Sequence, residues 1–125
     1  MGTKRLLVVD DEVAFLIALR KLLTEPGIEV DTAETMEDSM GLLESNTYDA
    51  VIADIRLTGV QRREGIQILD HVKKTHKATK VIMMTGFGNP EVMQEAYSLG
   101  ADFYFEKPVS VSVLKGALQK LGIVQ

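Results

Sequence analysis

Short apolar runs alternate along the chain with segments whose apolar residues recur at helical spacing. The apolar runs predict strands at residues 5–10, 28–33, 50–54, 80–85 and 103–105. The segments between and after them predict helices at 12–24, 36–45, 64–75, 90–99 and 110–121. Strands that alternate with helices are typical of βαβ units on a parallel sheet. We therefore expect five such repeats, a (βα)5 doubly wound α/β domain.

Capping residues support the helix ends in this pattern. Thr35 and Ser110 are side chains that accept hydrogen bonds at helix starts, and Gly100 follows the fourth helix. Gly116 lies inside the last helix, where it costs about 1 kcal/mol relative to Ala. The first helix is expected to bury one stripe, made of Phe15, Ala18, Leu19 and Leu22.

Length and composition narrow the class of protein. At 125 residues and 13.8 kDa the chain is expected to form one domain over 1–125. It has no cysteine, which excludes disulfides and thiolate metal sites. Its net charge of −4 argues against direct nucleic-acid binding. No apolar run is long enough for a membrane span or signal peptide, so a cytoplasmic location is expected.

Acidic residues stand where two of the most apolar runs end. Asp10 and Asp11 follow the first run, and Asp54 ends the third. Because the carboxyl ends of parallel strands meet at one edge of a sheet, three carboxylates are expected to converge there. Each close pair would repel by about 3 kcal/mol at ~5 Å and an effective dielectric near 20. The cluster therefore calls for a cation, and its oxygen ligands suit Mg²⁺.

Two other strand ends carry chemistry that fits the same edge. Thr85 ends the fourth strand, and Lys107 comes directly after the fifth, before Pro108. A hydroxyl, an amine and carboxylates together suit an anionic group bridged to a divalent cation. Taken singly, Asp10 and Asp11 could instead cap the first helix, Thr85 could begin a turn, and Lys107 could be a surface lysine.

Taken in order, these residues resemble the receiver domain of two-component response regulators. The resemblance rests on Asp10-Asp11, Asp54, Thr85-Gly86, Tyr104 and Lys107-Pro108, and it covers the whole chain. It implies a flavodoxin-like, five-stranded parallel sheet of order 2-1-3-4-5. It also implies a signalling domain that is not an enzyme toward other substrates, and that catalyses only its own phosphotransfer and autodephosphorylation.

The resemblance implies a role for each matching residue. Asp54 would be the phosphoacceptor, and Mg²⁺ would be held by Asp10, Asp11, Asp54 and the backbone carbonyl of Arg56. Lys107, whose bond to Pro108 would be cis, would contact the phosphoryl oxygens. Thr85 would donate its hydroxyl to one of them, and Tyr104 would then turn inward as the second switch residue.

The resemblance also implies partners. A sensor histidine kinase or a phosphotransfer protein would supply the phosphoryl group. The surface of the fourth helix, fifth strand and fifth helix would then act on an output domain or another protein target, with a phosphorylation-dependent dimer as one form of output. No membrane partner is implied.

One stretch departs from the family pattern. Leu57-Thr58 replaces a usual Met-Pro pair, and Gly65 lies eleven residues after Asp54 rather than about eight, so this loop has about three extra residues. Two rival functions stay open. An aspartate-nucleophile phosphohydrolase would need an aspartate where Arg56 stands, and an interaction-only domain would usually have lost one of the site residues.

Overall fold

A computed structural model describes residues 3–55, 64–86, 88 and 90–124. The strands are β1 (Lys4–Val9), β2 (Ile28–Ala33), β3 (Ala50–Asp54), β4 (Lys80–Thr85) and β5 (Phe103–Glu106). The helices are α1 (Val13–Leu23), α2 (Met36–Ser45), α3 (Glu64–Thr75), α4 (Pro90–Ser98) and α5 (Val111–Lys120). Within these ranges no helix is both long and apolar enough to cross a bilayer.

All five strands are parallel and lie in the order β2-β1-β3-β4-β5, which confirms the predicted doubly wound sheet. The register aligns the carboxyl ends of the central strands. Val9 lies level with Ala53, and Asp54 lies level with Met84. The residues that follow β1, β3 and β4 consequently meet at one edge of the sheet.

Helices cover both faces of the sheet. Side chains that alternate along β1 enter two separate cores, with Leu7 and Val9 on one face and Leu6 and Val8 on the other. Helices α2, α3 and α4 contribute to the first core, and α1 and α5 contribute to the second. Because β3 is buried along its whole length, its end is held by packing on both faces.

The observed bounds of five elements match the predicted bounds: β2, β3, β4, α2 and α3. The bounds of the other five elements differ from the prediction by one or two residues. Thr35 accepts from the backbone N–H of Asp38, and Ser110 accepts from that of Val113, so both predicted N-caps are confirmed. β1 ends at Val9 rather than at Asp10. The residues at such ends are only marginally fixed by hydrogen bonding.

The stripe predicted for α1 is wrong in part. The helix buries Leu16, Leu19 and Leu23, whereas Ala18 is exposed and Leu22 is 50% exposed. The segment VAFLIALRKLL is apolar on almost every side, so two stripes of helical spacing compete in it. Packing against the sheet and α5 buries the stripe that contains Leu16, Leu19 and Leu23.

Gly65 joins α3 closely to the end of β3. Its N–H donates to the carbonyl oxygen of Ile55 at 2.9 Å. A Cβ at this position would collide with the carbonyl oxygen of Asp54 and would lie 2.6 Å from the Cα of Ile55. Both obstacles are backbone atoms and cannot rotate away, so the close approach requires glycine.

Replacement of Gly65 by Ala is expected to lower the free energy of unfolding by about 1 to 3 kcal/mol, the usual cost of overpacking. Chemical denaturation measures this loss. The matched control is Gly116→Ala in α5, where, apart from the chain neighbours of Gly116 and the backbone of α5 itself, no atom of the described residues lies within 4 Å of the added Cβ. That control should gain up to about 1 kcal/mol from helix propensity. A Gly65→Ala protein as stable as the wild type would contradict the close-packing account.

Candidate functional site

Three carboxylates converge at the carboxyl edge of the sheet. Asp10 and Asp11 follow β1 and Asp54 ends β3, and one oxygen from each lies within 4.8 Å of the others. Asp10 and Asp54 are buried, whereas Asp11 is exposed. The cluster therefore has a buried floor and one side open to solvent.

Lys107 enters this cluster from the end of β5. Its ammonium donates to Asp10 Oδ2 at 2.6 Å and to Asp54 Oδ2 at 2.9 Å. The backbone N–H of Lys107 donates to the carbonyl oxygen of Thr85 at 2.8 Å, and the peptide bond to Pro108 is cis. The Phe15 ring lies 5.0 Å from the ammonium, which adds a cation–π contact. These contacts keep the amine at the edge where β1 and β3 end.

The charges in the cluster are incompletely balanced. Burial raises the pKa of Asp10, although hydrogen bonds from Lys107 and from the backbone of Glu12 oppose that rise. Although Asp11 is exposed as a residue, partial desolvation of its carboxylate raises its pKa, and the neighbouring charge of Asp10 raises it further. Burial favours a lower pKa for Lys107, but hydrogen bonds to Asp10 and Asp54 outweigh it and the pKa is raised. Within the described ranges of the chain, one ammonium thus serves several acids, so negative charges outnumber positive ones in this part of the site.

Thr85 and Tyr104 lie side by side next to Gly88. Thr85 is fully buried at the end of β4. A Cβ on Gly88 would collide with the Tyr104 hydroxyl oxygen and would lie 2.7 Å from the Thr85 methyl carbon. That hydroxyl oxygen is shielded from solvent, so the Tyr104 ring lies inward in this structure, whereas the resemblance implied that it turns inward only after Thr85 moves. The two proposed switch residues are therefore in one packed unit.

Glu12 also lies in the site, although the sequence pattern did not predict this. Its carboxylate accepts from the Lys107 ammonium at 3.2 Å, and its backbone N–H donates to Asp10 Oδ1 at 2.9 Å. Asp10 does not cap α1, whose N-cap residue is Glu12; it accepts from the N–H of that residue, two positions along the chain. The signal for Glu12 in the sequence was its position directly after the acidic pair.

Three residues named from the sequence lie outside the described part of the structure. They are Arg56, whose carbonyl the resemblance assigned to the metal, and the neighbouring Leu57 and Thr58. The longer loop that carries the pair also lies outside it. The described part of the site is therefore its carboxylates, its amine and its hydroxyl.

The donor set defines what this site can do. Carboxylate oxygens open to water on one side are the ligands that Mg²⁺ prefers, since it keeps several waters. A carboxylate beside an ammonium can also accept and stabilise a phosphoryl group. The fold and the site together define a doubly wound α/β domain with an acidic, amine-containing pocket of the kind that handles phosphate.

Comparison with known proteins narrows this class to one family. Residues 6–119 match the family model of the response regulator receiver domain, so the chain belongs to the receiver domains of two-component response regulators. A solved CheY-like response regulator receiver domain from Methanospirillum hungatei superposes with a TM-score of 0.86 at 30% identity. The match covers 97% of this chain and 95% of that one.

Two curated relatives differ in length. Sporulation initiation phosphotransferase F of Bacillus subtilis is 28% identical over 96% of this chain and 94% of its own. The transcriptional regulatory protein ZraR of Salmonella typhimurium is 31% identical over 95% of this chain, which spans only 26% of ZraR. Receiver domains similar to this chain therefore occur in proteins of its own size and in much longer ones.

Replacement of Asp11 by Asn should stabilise the metal-free protein at pH 7 by about 0.2 to 1 kcal/mol, because it removes a like charge next to Asp10. Because the pKa of Asp11 is raised in the folded protein, its charged form lowers the free energy of unfolding at pH values above that pKa. Protonation relieves this loss as the pH falls, so the gain should vanish below about pH 4.

Chemical denaturation at pH 7 and pH 4, with a chelator present, measures both values. Glu25→Gln removes the same charge from the far end of α1 and is the matched control. A loss of stability in Asp11→Asn at pH 7 would contradict the charge imbalance.

Proposed function

We propose that Asp54 is the phosphoacceptor of this receiver domain, which extends over 1–125. The donor would be a phosphohistidine on a sensor histidine kinase or on a phosphotransfer protein. One observation carries the proposal: the Asp54 carboxylate ends a buried strand inside an acidic cluster, 2.9 Å from a lysine ammonium. An ordinary strand-end aspartate would have neither neighbour.

The reaction is a single displacement at phosphorus. An oxygen of Asp54 forms the new P–O bond while the P–N bond of the phosphohistidine breaks. The imidazole leaves with the electron pair and takes up a proton. Lys107 would neutralise charge on the phosphoryl oxygens, and Thr85 would donate its hydroxyl to one of them. Attack by water on the same phosphorus later releases phosphate and restores the Asp54 carboxylate, which is the only turnover we propose.

The cofactor is Mg²⁺. The carboxylates of Asp11 and Asp54 would bind it, Asp10 would act largely through water, and the carbonyl of Arg56 would complete the protein ligands. When bound, the ion would neutralise charge on the phosphoryl oxygens. The fit rests on three carboxylate oxygens within 4.8 Å of one another and on the exposed Asp11 side, which admits water ligands.

The output is a change in the surface formed by α4, β5 and α5. A phosphoryl group on Asp54 would draw the Thr85 hydroxyl toward it and thereby stabilise the inward position of Tyr104. The Tyr104 ring contacts that of Tyr97 on α4, with centroids 6.4 Å apart. Tyr97 and Val113 expose 45% and 46% of their surface, so this face carries apolar groups that an output domain, a protein target or a second copy could cover.

Incubation with Mg²⁺ and acetyl phosphate, or with a phosphorylated histidine kinase, should add the mass of one phosphoryl group to the intact protein. Asp54→Asn should add none, because the amide is not a nucleophile toward phosphorus. Lys107→Met should be labelled much more slowly, since the attacking site loses its cation. Mass spectrometry of the intact proteins measures all three.

Glu25→Gln, which is far from the site, is the control and should be labelled as the wild type is. The proposal fails if the wild type gains no mass, or if Asp54→Asn gains as much as the wild type does.

A further inference from the structure

Lys107 has more carboxylate partners than the proposed function requires. An ammonium has three N–H donors, and three acids accept from this one. The distances are 2.6 Å to Asp10, 2.9 Å to Asp54 and 3.2 Å to Glu12. The third partner differs from the others, because its side chain is 67% exposed whereas those of Asp10 and Asp54 are buried.

Glu12 is held next to Lys107 by its own backbone. It is the N-cap residue of α1, its carbonyl accepts from Leu16 N–H, and its N–H donates to Asp10. Its side chain makes no hydrogen bond that caps the helix. The carboxylate is directed to the lysine instead.

We propose that Glu12 is a positioning residue that occupies the third donor of Lys107 until a phosphoryl group replaces it. This inference rests on the proposed function, because it assigns a competitor to the phosphoryl group on Asp54. Glu12 would hold the ammonium at the site before transfer and would weaken phosphoryl binding afterwards.

Which of the three acids gives up its hydrogen bond from Lys107 follows from how deeply each acid is buried and how far it lies from the ammonium. A phosphoryl group on Asp54 brings new negative oxygens beside Lys107, which must give at least one donor to them. Asp10 is fully buried and makes the shortest of the three contacts, so bulk water cannot readily replace the lysine there. Glu12 makes the longest of the three contacts and can be hydrated at once, so it is the partner that leaves.

The test uses beryllofluoride with Mg²⁺ as a stable phosphoryl mimic on the metal-loaded protein. Glu12→Gln keeps the size of the side chain but removes its charge, and it should lower the Kd of the mimic about two- to fivefold. Glu12→Asp keeps the charge but is one methylene shorter and should lower the Kd in the same direction. Glu25→Gln, with its charge removed far from the site, should leave the Kd unchanged.

A second readout requires no metal. The side-chain carbon and proton NMR signals of Lys107 should shift in Glu12→Gln and Glu12→Asp but not in Glu25→Gln. If Glu12→Asp binds the mimic as the wild type does while Glu12→Gln binds it more tightly, the net charge acts at a distance and the contact model is overturned. Unchanged affinity in Glu12→Gln, with a wild type that binds, overturns the inference alone. A wild type that binds no mimic overturns the proposed function.

Discussion

Among the residues that the structure describes, the site depends on the repulsion among Asp10, Asp11 and Asp54 and on the Lys107 ammonium that opposes it. Carboxylate oxygens within 4.8 Å of one another repel by about 3 kcal/mol for each pair at an effective dielectric near 20. Lys107 offsets part of this through contacts with Asp10 and Asp54. The folded chain therefore holds an excess of negative charge at one point, and any cation that reaches it is stabilised. Under the proposed function, acceptance of a phosphoryl group there would require a cation to bind first.

The sheet is what brings these charges together. Neighbouring parallel strands end at the same level, so residues far apart in the chain reach one edge, as Asp10, Asp54 and Lys107 do. Packing on both faces of β1 and β3 fixes their ends, and the approach of Gly65 to Ile55 fixes the start of α3 against them. The acids cannot move apart to relieve their repulsion. The stability of the two cores thus sustains a site that is itself unfavourable, as is common at functional sites.

The sequence pattern predicted the sheet, its order through family resemblance, and the meeting of Asp54 with Lys107, because strand ends are encoded locally by apolar runs. It placed the stripe of α1 wrongly, since Leu16 and Leu23 compete with Ala18 and Leu22 in a helix that is apolar almost all round. It also missed Glu12, because the direction taken by an exposed side chain depends on a lysine 95 residues away. The contact of Thr85 and Tyr104 around Gly88 likewise needed coordinates, since it joins β4, β5 and the loop after β4.

The acidic cluster of the folded chain should bind Mg²⁺, and the dependence of stability on Mg²⁺ measures this directly. Chemical denaturation with Mg²⁺ at ten times its Kd, against a chelator at matched ionic strength, should raise the free energy of unfolding by about 1.4 kcal/mol. The rise should be absent in Asp11→Asn, which lacks an exposed ligand of the cluster. An unfolding free energy that is the same with and without Mg²⁺ would contradict the account.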